Sequence, residues 1–194
     1  MASINIHLAI AKIYIERNNV RDPDAFYRGT VEPDLTDKKD ATHYGTLLTA
    51  PELSSWDCLK DRVNLSEFLA VNIIDNDYNR GYFLHLLTDY KFFREFLGEK
   101  FLTNVVKYEF MIDLYHTYDI LNPYLIEKYN LESIEIVHDI KKNVKSAVNL
   151  NDNPLKSKYA PKCIIDTARI DEFIASVAAS DLENISARVR KSLF

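Results

Sequence analysis

Apolar residues recur at intervals of three and four over long stretches of this chain, and alternating Val/Ile/Thr runs are scarce, so amphipathic helices are the elements it can build. Punctuation is sparse, with four glycines and six prolines in 194 residues. A chain of this length with 47% hydrophobic residues and no long polar tract is large enough for one well-packed core. The expectation is an all-α protein, a single compact multi-helix domain over residues 1–194.

The periodicity predicts a first helix from Ile4 to Asn18 with Ile6, Ala9, Ile10, Ile13 and Tyr14 on its buried stripe and His7 beside it. Asp22-Pro23 reads as a helix start, a capping carboxylate followed by proline, opening a short turn through Phe26. Gly29 to Pro51 reads as irregular. Further helices are predicted from Pro51 to Arg62, Leu65 to Ile74, and Tyr78 to Leu97, where Gly98 stops the chain. Phe101 to Leu121 follows, and Asn122-Pro123 resets the helix before it resumes to Tyr129. Leu131 to Val148 makes another, residues 149–158 a loop, and Thr167 to Ala179 and Asp181 to Leu193 close the chain. Arg188, Arg190 and Lys191 suit the negative end of the last helix dipole.

Several functions are disfavoured. A net charge of −5 argues against general affinity for a nucleic-acid backbone, so no stable nucleic-acid binding is expected. Cys58 and Cys163 match neither a zinc ribbon nor a redox pair and read as reduced thiols in or near the core. The run Ile4 to Ile15 lacks a basic start and a small-residue cleavage site, and no stretch is long and apolar enough for a transmembrane segment, so a cytoplasmic location is expected. There is no G-x-S-x-G elbow, P-loop or dinucleotide fingerprint, and the Phe and Tyr surplus reads as helical core.

Five residues in the first half stand out: His7, Asp34, His43, His85 and Asp89, all of types that bind transition metals. His85 and Asp89 are four apart in Gly81-Tyr82-Phe83-Leu84-His85-Leu86-Leu87-Thr88-Asp89-Tyr90, which puts imidazole and carboxylate on one helix face with Cβ atoms about 5–6 Å apart. Their surroundings are apolar almost all the way round. A buried imidazole or carboxylate must be paired or metal-bound, so either an ion or a plain His–Asp pair satisfies them. Taken singly, His7 reads as a core histidine, Asp34 as a turn residue after Pro33, and His43 as a solvated loop side chain.

The order His, Pro-Asp, Thr-His, then His-x-x-x-Asp within Gly-Tyr-Phe-Leu-His-Leu-Leu-Thr-Asp-Tyr resembles the zinc-dependent phospholipase C family, itself similar to the single-strand-specific zinc nucleases. The resemblance covers Ile4 to Phe93. It implies an all-helical phosphoesterase in which Asp34, His43, His85 and Asp89 surround one metal, while Asp89 bridges to a second that also uses His7. In secreted relatives a free N-terminal amine joins that second metal. The amine here would belong to Met1 or, if Met1 is removed, to Ala2. The family's remaining metal uses a His-x-x-x-acid pair, whereas neither His116 nor His138 has an acid four residues on. Asp113, His116 and Asp119 are weaker metal candidates.

Three imidazoles and two carboxylates suit one or two zinc ions, with manganese or iron as alternatives. The expected chemistry is metal-activated water attacking the phosphorus of a small-molecule or lipid phosphoester. Asp34 would orient the nucleophile as well as bind metal, and Arg28 would meet substrate phosphate. Two other readings stand beside it. Adjacent His138-Asp139, with His116 and Asp166, resembles an HD-domain phosphohydrolase, and a non-catalytic helical metal-binding or scaffolding module is the rival from another class.

Overall fold

The structure is a computed structural model and describes residues 2–36, 38–45, 62–98, 107–135 and 159–192. Among them every regular element is helical: α1 (Ile4–Arg17), α2 (Pro23–Val31), a 3-10 turn (Glu32–Asp34), α3 (Lys39–His43), α4 (Leu65–Val71), α5 (Asp77–Lys91) continuing into a wider turn (Phe92–Leu97), α6 (Lys107–Lys128), a 3-10 turn (Leu131–Ser133), α7 (Thr167–Ala178) and α8 (Leu182–Lys191). Extended pairing among these residues is one isolated bridge between Tyr44 and Val63. No helix among them is long and apolar enough to cross a membrane.

Helix starts follow the capping signals in the sequence. The side chains of Ser3, Asp22, Asn64, Asn76, Asp166 and Asp181 each accept a backbone N–H of the helix they precede, which satisfies donors with no intrahelical partner. Gly98 ends the turn after α5 at φ 74°, and its N–H donates to the Phe93 carbonyl.

Helix α1 is buried on more than a stripe, because α2, α5, α6 and α7 all pack on it. Ile6, Leu8, Ala9, Ile10 and Ala11 are fully covered, whereas Ile13 is only half-buried. Helix α5 is buried nearly all round from Gly81 to Asp89. Each large apolar side chain removed from water there contributes about 1.5–3 kcal/mol, and this surplus covers the cost of enclosing His85 and Asp89.

The crossing of α2 over α5 positions the site. A Cβ on Gly29 would lie 2.0 Å from the Tyr78 carbonyl oxygen, and one on Gly81 would lie 2.1 Å from that of Phe26. The two backbones touch, and only glycine permits it. Thr30 adds to the contact, its hydroxyl donating to the Phe26 carbonyl at 2.9 Å and lying 3.4 Å from that of Gly81.

Several expectations are corrected. Helix α2 runs through Gly29 to Val31 instead of ending as a short turn, since the close approach to α5 needs a glycine inside a helix. The stretch after it, read as irregular, contains the 3-10 turn and α3. Pro123 lies within α6, which does not reset. A proline there removes a hydrogen bond to the Asp119 carbonyl, and Asp119 is exposed, so water can replace it. Cys163 is exposed and not in the core. Cys58, the predicted Pro51–Arg62 helix up to residue 61, residues 101–106, residues 136–148 and the 149–158 loop lie outside the described residues.

Candidate metal centre

The structure brings His7, Asp34, His43, His85 and Asp89 together from α1, the 3-10 turn, α3 and α5. The histidines and Asp89 are at most 1% exposed, and the Asp34 carboxylate is 6% exposed. Two overlapping groups have ligand atoms within 4.8 Å of one another: His7, His85 and Asp89, and Asp34, His43 and His85.

Hydrogen bonds fix the ring orientations. Nδ1–H of His85 donates to the Thr30 carbonyl and Nδ1–H of His43 to the Lys39 carbonyl, each at 2.8 Å. A carbonyl has no proton to give, so both rings carry theirs on Nδ1 and, when neutral, present a lone pair on Nε2. Those two Nε2 atoms lie 3.0 Å apart. With both rings neutral those lone pairs repel at that distance, and a cation between them, either a metal ion or a proton on one ring, removes the repulsion. Second-partner carbonyls of this kind commonly orient metal-binding imidazoles.

The other separations fit the same cation. His43 Nε2 is 3.3 Å from Asp89 Oδ2 and 3.7 Å from Asp34 Oδ1, and His85 Nε2 is 3.8 Å from Asp89 Oδ2. Ligand bonds of 2.0–2.1 Å place tetrahedral ligands about 3.3–3.4 Å apart. On the far side His7 Nε2 is 3.4 Å from Asp89 Oδ1, with the His7 ring stacked on His85 at 4.0 Å. The Ala2 N–H donates to the same Oδ1 at 2.7 Å. Both His7 nitrogens and Asp89 Oδ2 are buried without a hydrogen-bond partner. Buried polar atoms without partners are rare and call for an explanation such as an ion.

Electrostatics point the same way. Burial, with neighbouring His7 adding to it, pushes the His85 imidazolium down to about 3, so the ring is neutral and able to ligate. Burial raises the Asp89 carboxyl, yet the neighbouring His43 and His7 imidazoles outweigh it and hold the group well below the usual carboxylate range. Burial also opposes ionisation of Asp34, but the neighbouring His85 and His7 rings and the Lys39 ammonium at 3.2 Å outweigh it and hold the carboxyl below its ordinary value.

The later candidates do not join this cluster. Asp113 is buried but satisfied, Oδ2 accepting from the Tyr159 hydroxyl at 2.8 Å and Oδ1 from the Lys162 N–H at 2.7 Å. His116 is half-buried and Asp119 exposed. Arg28 is exposed on α2. Asp166 caps α7, and His138-Asp139 lies outside the described residues.

No protein-family model, curated protein or solved structure matches this chain.

Residues that the sequence did not single out support the centre. Thr30 and Lys39 contribute carbonyls, for which the sequence carries no signal. Tyr82 donates its hydroxyl to the Thr42 carbonyl at 2.7 Å, tying α3 to α5. Tyr118 of α6 is buried, and burial followed by the charges of Asp89, Tyr115 and Asp34 raises its phenol well above the ordinary range. The mid-helix Gly81 was a usable signal, since glycine inside a helical pattern often marks close packing.

Proposed function

We propose that this chain is a metal-dependent phosphoester hydrolase of the type the phospholipase C and zinc nuclease resemblance implies. Asp34, His43, His85 and Asp89 would hold one ion, and His7 with Asp89 a second. The observation that carries this is the pair of Nε2 atoms 3.0 Å apart with both Nδ1 positions committed to carbonyls. Three imidazoles and two carboxylates suit zinc, with manganese or iron as alternatives. The Ala2 N–H donates to Asp89 Oδ1, and removal of Met1 would turn this amide into the free amine that the resemblance implies as a ligand.

When bound, a divalent ion supplies Lewis acidity that activates water near neutral pH and polarises a phosphoryl oxygen. Thr30 and Lys39 carbonyls keep the His43 and His85 rings aimed at one point. Asp34, more exposed than Asp89, would accept a proton from the attacking water and orient it toward phosphorus. The buried Asp89 and His7 hold the deeper side of the centre.

A structural ion is the second reading, and the complete burial of His85 and Asp89 favours it. Metal analysis of the purified protein, with a screen of phosphomonoesters and phosphodiesters after zinc or manganese loading, separates the two. Asp89→Asn is expected to lower metal content and cut hydrolysis at least about 100-fold, with a far smaller fractional loss of folding stability. A loaded wild type that hydrolyses no ester, or an Asp89→Asn variant as active as wild type, defeats the catalytic reading.

A further inference from the structure

We propose that Lys39 supplies the cationic contact for the phosphate group at this centre, an inference that rests on the metal-dependent reading above. Exposure rises along one line: Asp89 and His85 are 0% exposed, the Asp34 carboxylate 6% and the Lys39 side chain 38%. Among the described residues, an anion arriving from solvent on this side meets Lys39 before it meets the buried ligands. The Lys39 ammonium lies 3.2 Å from Asp34 Oδ1, itself 3.7 Å from His43 Nε2.

Charge balance gives the ammonium its role. The cluster contributes two carboxylates, Asp34 and Asp89, and the Lys39 ammonium is paired with the first of them. One divalent ion on these ligands neutralises both carboxylates and competes with Lys39 for Asp34. The ammonium's charge would then be unmatched within this cluster, and an anion arriving from solvent would balance it. A tetrahedral phosphoryl group, with several oxygens on one atom, can meet the ion and the ammonium at once.

The residue also separates two tasks. Its backbone carbonyl orients His43 at 2.8 Å, and any side chain at position 39 leaves that carbonyl in place. A side-chain substitution therefore tests the ammonium without removing the support for the ligand.

The test uses the zinc-loaded full chain and inorganic phosphate, with zinc stoichiometry measured on each variant and phosphate binding followed by calorimetry. Lys39→Gln is expected to keep its zinc and to bind phosphate about 10- to 100-fold more weakly, as loss of one charge-assisted hydrogen bond would give. Lys39→Arg should recover most of the affinity. With an ester substrate, Lys39→Gln should raise KM more than it lowers kcat. Phosphate binding equal to wild type in Lys39→Gln, zinc loss in that variant, or no phosphate binding by the zinc-loaded wild type overturns the proposal. Ester hydrolysis whose KM ignores Lys39 removes this inference and leaves the hydrolase reading standing. Lys39-dependent phosphate binding without hydrolysis of any ester does the reverse.

Discussion

Helices α5 and α6 each carry a histidine and an aspartate within one turn, His85 with Asp89 and Asp113 with His116, and each buries its aspartate. On α6 the protein completes the chemistry itself: both Asp113 oxygens take hydrogen bonds that hold residues 159 and 162 against the helix, and Thr117 accepts the Ile164 N–H at 3.0 Å. On α5 Asp89 has one oxygen without a partner, and the His7 ring stacked beside it has neither nitrogen satisfied. Residue type and spacing are alike in the two places. What separates a tether from a ligand set is whether the fold provides the remaining partners.

The largest expected effect breaks the α2–α5 crossing that makes this difference possible. Gly81→Ala places a Cβ 2.1 Å from the Phe26 carbonyl oxygen, against backbone that cannot rotate away. A cost of about 3 kcal/mol is expected, which in a chain of this size lowers Tm by about 6–12 °C. Because the same crossing brings the Thr30 carbonyl to His85, zinc binding should weaken too. Differential scanning fluorimetry that gives Gly81→Ala a wild-type melting curve would show that the crossing is not tight.

Next in size is removal of the proposed ion. An ion present at a hundred times its dissociation constant stabilises the native state by about 2.7 kcal/mol, and its chelation should lower Tm by about 5–10 °C. His85→Ala should abolish that sensitivity. Melting of wild type with and without a strong chelator checks this, and identical curves would make the α5 cluster as self-sufficient as the α6 one.

The same contrast explains how far the sequence could be read. Helices α1, α7 and α8 were legible within about a turn because short-range apolar periodicity carries through them. The His85–Asp89 pair was legible because a four-residue spacing fixes both side chains on one face. The continuation of α2 through Gly29 and of α6 through Pro123 was not, because each depends on a neighbour: the Tyr78 carbonyl that excludes a Cβ, and solvent beside Asp119. His43 as a solvated loop residue failed for a similar reason, since its burial comes from α3 folding onto α5 through Tyr82. Nor does any local pattern show that Asp113 meets Tyr159, 46 residues on.

A smaller effect sharpens the comparison from the α6 side. Asp113→Ala removes two hydrogen bonds whose donors sit in a half-exposed segment, where water can take them up. The loss should be about 1–2 kcal/mol, or about 2–8 °C in Tm, with zinc stoichiometry unchanged. A drop in bound zinc would place Asp113 functionally with the α5 cluster, contrary to the geometry.

The smallest effect comes from Asp171 of α7, which holds α6 through the Tyr129 hydroxyl at 2.8 Å and through Lys128 and Tyr124. Burial raises its pKa, but the hydrogen bonds from Lys128, Tyr124 and Tyr129 outweigh that and bring it below the ordinary value. A carboxyl whose folded pKa is depressed contributes stability that is fully present above its unfolded value, near 3.9, and is lost as pH falls through the folded one. The contribution is therefore flat at neutral pH and disappears only in the acid limb below about pH 4. The group is largely solvated and its ion pair screened, so Asp171→Asn should lower Tm by no more than about 4 °C at pH 7. Below the depressed folded pKa of Asp171 the two proteins should converge, because wild type then carries a neutral carboxyl as well. Melting curves from pH 2 to pH 7 test this, and a Tm difference that persists at pH 2 would mean that Asp171 stabilises the α6–α7 contact by packing and not by charge.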